Sequence, residues 1–534
     1  MELTQNRLYT FADTIGFATD LAPLSRGVQY LDKCENAYFE KSGSIRKFGG
    51  ELKVNSTAFS GAPNVTGFYD FWRSGTSGSS AQMVVAMTAD SKIYAEQAMD
   101  GVQTDITGAA TITADAIPYF FVARDTLIIL NDKADTPLSW AQSGNVASLG
   151  GSPPAGRVGI YHVNRPWITN TNANPSRLLY GSSTSVTDYT GADTGTIDIS
   201  PEDGDRILGL AVNRGRLLIF KGPNKGSIHV MSGRTVSTFV VDFLIAGNPL
   251  QSMHGLLDVG NDVWMLSDTG IYSINAVQEY GDWKKADITP FLKNFFRDSI
   301  NRSRMASAQA INYEDRSTAL FCLTPLSDVE NNLTLGISYT NPQKLKYFTV
   351  PGRSCISAGI RIHPTTKLRE ACFGTTDGFI KRQDVSARSL DGAGGYTYRV
   401  RTPAILIGEV NKAGQEKIDQ PVNLRDLLVR SESVGNYNLA VSIQRDDKAE
   451  QTFTIGQGGA GFVLDTSQLD IDTLGGGGIQ TARINEPVIG GNCRSVIIDL
   501  QQSGANQDAN VFEVGLKFSP VSESRATDLE DQTQ

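Results

Sequence analysis

Leu210-Ala211-Val212-Asn213-Arg214-Gly215-Arg216-Leu217-Leu218-Ile219-Phe220 decides the fold of this chain. Two strand-like apolar runs flank a tight polar turn, and the second run, 217–220, is apolar without interruption. Strict alternation would mark a strand with one wet face; an unbroken run marks burial on both faces, as between neighbouring sheets. The phrase recurs at 84–94, 121–130, 160–168, 256–266, 311–321 and 360–373, which makes seven copies. With Ile93, Ile128, Trp167, Leu218, Trp264, Leu320 and Leu368 as anchors, the spacings are 35, 39, 51, 46, 56 and 48 residues. A hairpin unit returning every 40–50 residues or so is the signature of a β-propeller. The expected fold is therefore all-β, with a propeller of about seven blades.

Working outward, several copies carry a third strand after a second turn. Ser267-Asp268-Thr269-Gly270 leads into Ile271-Tyr272-Ser273-Ile274, and Asp377-Gly378 leads into Phe379-Ile380. Asp and Gly suit turns that need positive φ. One helix is expected over about 290–305, with Thr289 as N-cap, Pro290 in the first turn, and Phe291, Leu292, Phe295, Phe296 and Ile300 at helical spacing. Such an apolar stripe is a packing face. After about 405 the texture changes: 424–429 and 437–443 read as paired strands, while 494–500 and 511–518 alternate with period two. That pattern fits half-exposed antiparallel sheets in a β-sandwich. The expected organisation is a strand-rich closure segment over 1–50, a propeller over 51–404, a β-sandwich-like domain over 405–521 and a disordered tail over 522–534. The glycine-rich stretches at 456–461 and 475–478 read as mobile loops.

Composition bounds the function. A net charge of -9 opposes a sequence-independent nucleic-acid clamp, which needs a basic surface. Five cysteines without CxxC spacing read as buried thiols of a reducing compartment. The start, Met1 to Asn6, is polar and carries no signal peptide, and no apolar run reaches membrane-spanning length, so synthesis in a cytoplasm is expected, without stable membrane association.

Chemistry is sparse. His162, His229, His254 and His363 show no metal-ligand spacing. The stretch from Gly222 to Ser227 lacks the spacing of a phosphate loop and reads as a hairpin turn. Glu202, Asp203 and Asp205 cluster beside Gly204 without the spacing of a calcium loop, so a solvated turn is expected there. The turn from Ser267 to Tyr272 departs from the repeated Ser-x-Asp-x-Gly-x-Thr-Trp turn of propeller sialidases, its Asp coming one place early. No catalytic, cofactor-binding or metal-binding residue is assigned, and a non-enzymatic protein is expected.

A set of phrases resembles one family, the β-propeller tail tube or nozzle proteins of short-tailed bacteriophages. The phrases are Arg26-Gly27-Val28 with Glu35-Asn36-Ala37-Tyr38; Ile45-Arg46-Lys47-Phe48-Gly49; Gly67-Phe68-Tyr69-Asp70-Phe71; Asn174-Pro175-Ser176-Arg177-Leu178-Leu179-Tyr180; Asp203-Gly204-Asp205-Arg206-Ile207-Leu208-Gly209-Leu210; Gly215-Arg216-Leu217-Leu218-Ile219-Phe220-Lys221; Ile228-His229-Val230-Met231-Ser232-Gly233; and Leu266-Ser267-Asp268-Thr269-Gly270-Ile271-Tyr272. Their shared order spans 26–275; beyond it the likeness is only that of a β-rich addition. The resemblance implies a structural protein of the virion tail, made in the bacterial host cytoplasm. It implies a ring, typically a hexamer, below the portal and adaptor, in contact with head-to-tail adaptor proteins and tail fibres or spikes. Genomic DNA would pass through the lumen without specific binding, and no cofactor or catalytic residue comes with the match. The alternative is a propeller glycosidase, or a glycan- or receptor-binding module, acting at the host envelope.

Overall fold

The computed structural model describes residues 5–11, 14–21, 29–74, 80–96, 98–132, 134–276, 283–384, 386–406, 409–410, 416–417, 421–435, 437–446, 448–457, 479–485 and 492–520. The chain divides into two compact units, one of 51–340 with 351–384, the other of 1–50, 341–350 and 385–534.

The first unit is built from seven antiparallel sheets. The fourth shows how the sequence makes one. Arg206–Asn213, Arg216–Gly222, Ser227–Ser232 and Val240–Ala246 pair in order, from the innermost strand outward. Leu217, Leu218, Ile219 and Phe220 are all fully buried, Leu217 and Ile219 facing one inter-blade core and Leu218 and Phe220 the other. The unbroken apolar run thus serves two cores at once. Val263, Trp264, Met265 and Leu266 are likewise buried in the fifth blade.

The innermost strands are Val65–Ser74, Tyr119–Ala123, Val158–His162, Arg206–Asn213, Leu256–Val259, Gln309–Tyr313 and Ser357–Ile362. Each touches the next, and the seventh touches the first, so the ring closes. The outermost strand of the seventh blade is Gly50–Lys53, from ahead of the first blade. Its continuation is held by the Val54 N–H to Ile380 O, 2.8 Å. One expected copy is out of phase. Residues 84–94 form the second and third strands of the first blade, whose inner strand is Val65–Ser74, whereas the other six copies are inner and second strands. The short first spacing reflects that shift.

The closure segment is narrower than 1–50. Gly50–Lys53 joins the sheet of the seventh blade and Gly16–Phe17 and Lys33–Glu35 pair with Lys346–Pro351, whereas Gln5–Thr10, Ala37–Phe39 and Ile45–Lys47 pair only in the second unit among the described strands. Residues 386–404 also belong there rather than to the propeller, because Tyr398–Arg401 is hydrogen-bonded between Lys33–Glu35 and Ser495–Gln502. The helix is shorter than expected: Lys293–Asp298 is α-helical, and Arg302–Ser307 is a separate 3-10 turn. Thr289 is drawn away from capping, its hydroxyl accepting the Ile271 N–H at 2.9 Å. Leu292, Phe295, Phe296 and Ile300 are buried, as a packing stripe requires.

The second unit holds two groups of strands. In one, Ile479–Asn485, Val422–Glu432, Asn510–Pro520, Ile45–Lys47 and Ala37–Phe39 lie in order; in the other, Lys33–Glu35, Tyr398–Arg401, Ser495–Gln502, Asn438–Arg445 and Gln451–Gly456. The Tyr398 hydroxyl donates to Ile45 O at 3.2 Å and the Lys47 amine to Gln502 Oε1 at 2.6 Å, tying the two groups together. The strands at 422–432 and 438–445 therefore do not pair with each other; each takes partners from the C-terminal strands instead. The glycine-rich residues 458–461 and 475–478 and the tail 522–534 lie outside the described residues.

Candidate functional site

The inner strands of all seven blades enclose an axial cavity of about 670 Å³. Tyr69, Tyr119, Phe120 and Tyr161 supply aromatic surface, and Asp70, His254 and Asp258 supply titratable groups. Asp70 is committed to structure. Its carboxylate accepts from Gln82 Nε2 at 2.9 and 3.0 Å and from the Ile362 N–H at 2.8 Å, fastening the first blade to the seventh. Burial pushes its pKa up, against those hydrogen bonds and Arg361. Two buried ion pairs reinforce the same closure. Arg361 lies 3.5 Å from fully buried Glu96, and Arg353 lies 3.7 Å from Glu51 of the closing strand. His254 stacks on Tyr119 with ring centroids 5.5 Å apart. Burial lowers its pKa to about 4, opposed by a hydrogen bond to the Pro118 carbonyl, so the imidazole is neutral at pH 7.

The carboxylates beside Gly204 do not converge on a common point. Asp203 receives the amine of Lys221 at 2.7 Å. Lys221 is fully buried and also donates to Ile199 O at 2.8 Å and Ser200 O at 2.7 Å. Asp205 accepts the backbone N–H groups of Asn224, Lys225 and Gly226 at 2.8 to 2.9 Å, so the glycine-containing turn is a hairpin clasped by a carboxylate. Ser176 Oγ donates to Asp205 O at 2.5 Å, and the Ile207 N–H donates to Pro175 O at 3.0 Å. These bonds join the third and fourth blades. Lys221 was missed by the sequence reading. Its signal is a cation directly after the unbroken apolar run 217–220, which must find buried partners.

The histidines are dispersed. His162 O accepts the Trp167 indole N–H at 3.0 Å; His229 meets the edge of Phe243 at 5.5 Å; His363 Nδ1 accepts the N–H groups of Thr365 and Thr366 at 3.1 Å. In the turn from Ser267 to Tyr272, the Ser267 hydroxyl donates to Asp268 at 3.0 Å, and the Thr269 and Tyr272 hydroxyls share a hydrogen bond at 2.9 Å. Among the described residues, no group of three or more His, Cys, Asp or Glu is placed to hold a metal. All five cysteines are free and buried, and burial raises the thiol pKa values of Cys34, Cys355, Cys372 and Cys493. No helix of the described residues is long and apolar enough to cross a membrane.

The fold defines the class: an all-β protein with a propeller. No family model matches the chain, and no curated protein matches it. Among solved structures, it is similar to YCF48 bound to D1 peptide, at 10% identity and a TM-score of 0.40, over 66% of this chain and 97% of that one. It is also similar to YCF48 from Cyanidioschyzon merolae, at 8% identity and a TM-score of 0.39, over 62% of this chain and 98% of that one.

Proposed function

We propose that the chain is a structural subunit of a short-tailed bacteriophage tail, one copy in a ring, of six by the family's habit, that forms the tube or nozzle below the portal and adaptor. The observation that carries this is where the family-like phrases meet. Asn174 to Tyr180, Asp203 to Leu210, and Gly215 to Lys221 are separate in sequence. They are hydrogen-bonded to one another at one inter-blade joint, Ser176 to Asp205, Ile207 to Pro175 and Lys221 to Asp203. A resemblance held in a joint is a resemblance of scaffold, which suits a protein that works by geometry. In such a ring the DNA passage is the lumen between subunits. The axial cavity of the propeller, about 670 Å³, is far too small to pass duplex DNA. Adaptor proteins would meet one end of the ring and fibres or spikes the other.

The aromatic lining of the axial cavity favours a second reading, a glycan-binding module. Negative-stain microscopy of purified virions with antibody to this chain separates the two. Label at the tail tube supports the proposal; label on a fibre, on the head, or nowhere refutes it.

A further inference from the structure

The outer strands of the blades are unequal. Those of the first two blades have two residues each, Thr104–Asp105 and Ala147–Ser148. The third, Gly195–Asp198, carries Asp198, which is paired with Arg177; the fifth, Trp283–Asp287, includes two lysines and an aspartate. Short or charged outer strands are the usual protection of an open sheet edge. The outer strand of the fourth blade is longer and more apolar, with one charge, Asp242. Val240–Ala246 reads Val-Val-Asp-Phe-Leu-Ile-Ala, is seven residues long, and among the described strands pairs on one side only, with Ser227–Ser232. Val240 is 52% exposed and Phe243 61%, and Val236 in the preceding turn is 40% exposed. These three are close in sequence at one place on the rim, and the ring contact with His229 leaves Phe243 exposed.

The second unit has a counterpart. Gln451–Gly456 ends its sheet, pairs only with Asn438–Arg445 among the described strands, and contains no charged residue. Thr452 and Thr454 are exposed. The two edges match in length, seven residues against six, and their single charge, Asp242, would meet no like charge. We infer that the Val240–Ala246 edge of one copy takes the Gln451–Gly456 edge of the next copy as a fifth strand, making a sheet that runs across the subunit boundary. This rests on the ring reading and supplies its contact. A closed ring needs two different surfaces on each subunit, and edges drawn from different units provide them, whereas pairing of one edge with itself would stop at a dimer. Main-chain hydrogen bonds would give the affinity, and Val240 and Phe243 would lose their exposure to water.

The test places Asp242→Cys and Thr454→Cys together in the full chain and treats tail particles with a short bismaleimide. The native cysteines are buried, so the two introduced thiols take the reagent. The expected result is a ladder of covalent multimers beyond the dimer, absent from either single variant. Dimer from Asp242→Cys alone would mean self-pairing and would overturn the inference. Rings without a ladder would overturn the edge pairing while leaving the ring reading intact; particles without any ring of this chain would end both. Independently, Val240→Lys with Phe243→Lys should leave the circular dichroism unchanged and abolish multimers at concentrations where the native chain assembles. Unchanged assembly of that variant also overturns the inference.

Discussion

Lys221→Met should weaken the propeller by about 3 kcal/mol, the range for removing one partner of a buried ion pair. The ammonium is fully buried and makes three short hydrogen bonds, to Ile199 O, Ser200 O and Asp203 Oδ1, at 2.7 to 2.8 Å. Each charge-assisted bond is worth roughly 1.5–3 kcal/mol, but the sum overstates the loss. Asp203 is 27% exposed and regains water when the amine is gone, and Met avoids the desolvation of a charge. What remains is the stranded Ile199 carbonyl, which belongs to a residue only 2% exposed, and an unpaired carboxylate at a joint between blades. In a unit of this size, that loss lowers Tm by roughly 4–5 °C. Urea unfolding followed by tryptophan fluorescence reads it directly, because Trp140 and Trp167 are buried in the second and third blades. Lys225→Met, on the exposed side of the same hairpin, is the control and should change stability by less than about 0.5 kcal/mol. In combination with Asp203→Asn the cost should be less than additive, since both changes remove the same pair. A Lys221→Met variant within about 1 kcal/mol of the native chain would show that the joint does not depend on the cation, and the argument would fail.

Two pH effects follow, both costing stability as pH falls. His254 has a depressed pKa of about 4 in the fold, so the unfolded chain binds the extra proton first; stability should fall as pH drops from about 6.5 toward 4, by up to about 3 kcal/mol. His254→Gln should flatten that stretch of the profile, and urea midpoints that do not change between pH 7 and 4.5 would contradict it. Asp508 in the second unit is held down by Arg388 and Arg46, at 2.7 and 2.6 Å, against the effect of its own burial. Its contribution is full above the unfolded value of about 3.9 and is lost as pH falls through the lower folded value. Asp508→Asn should cost roughly 3 kcal/mol at neutral pH, read as faster hydrogen exchange in Ser495–Gln502 and Asn510–Pro520; native-like protection would refute the clamp.

Much of the fold was legible because a strand buried on both faces must be apolar on both faces, and 217–220 and 263–266 say so without any partner in view. The number of repeats followed from the same runs. Phase did not: 84–94 and 121–130 look alike as hairpins, and only pairing shows that the first is a second and third strand and the other a first and second. The site was legible chiefly as a set of carboxylates and histidines without shared spacing. Their actual duties, Asp70 tying two blades, Asp205 clasping a turn and Asp203 receiving Lys221, depend on partners more than ten residues away, and local pattern carries no record of them.

By itself, then, the sequence determined the element type, the repeat and the faces to be buried, because side-chain transfer from water is a local property read at period two or as a continuous run. Tertiary structure decided which strands are neighbours. Gly50–Lys53 closes a sheet whose other strands begin some three hundred residues later, and Lys33–Glu35 pairs with Tyr398–Arg401, which follows the whole propeller in sequence. Any open edge offers the same backbone donors and acceptors, so the choice among edges falls to packing and to the distance the chain can span.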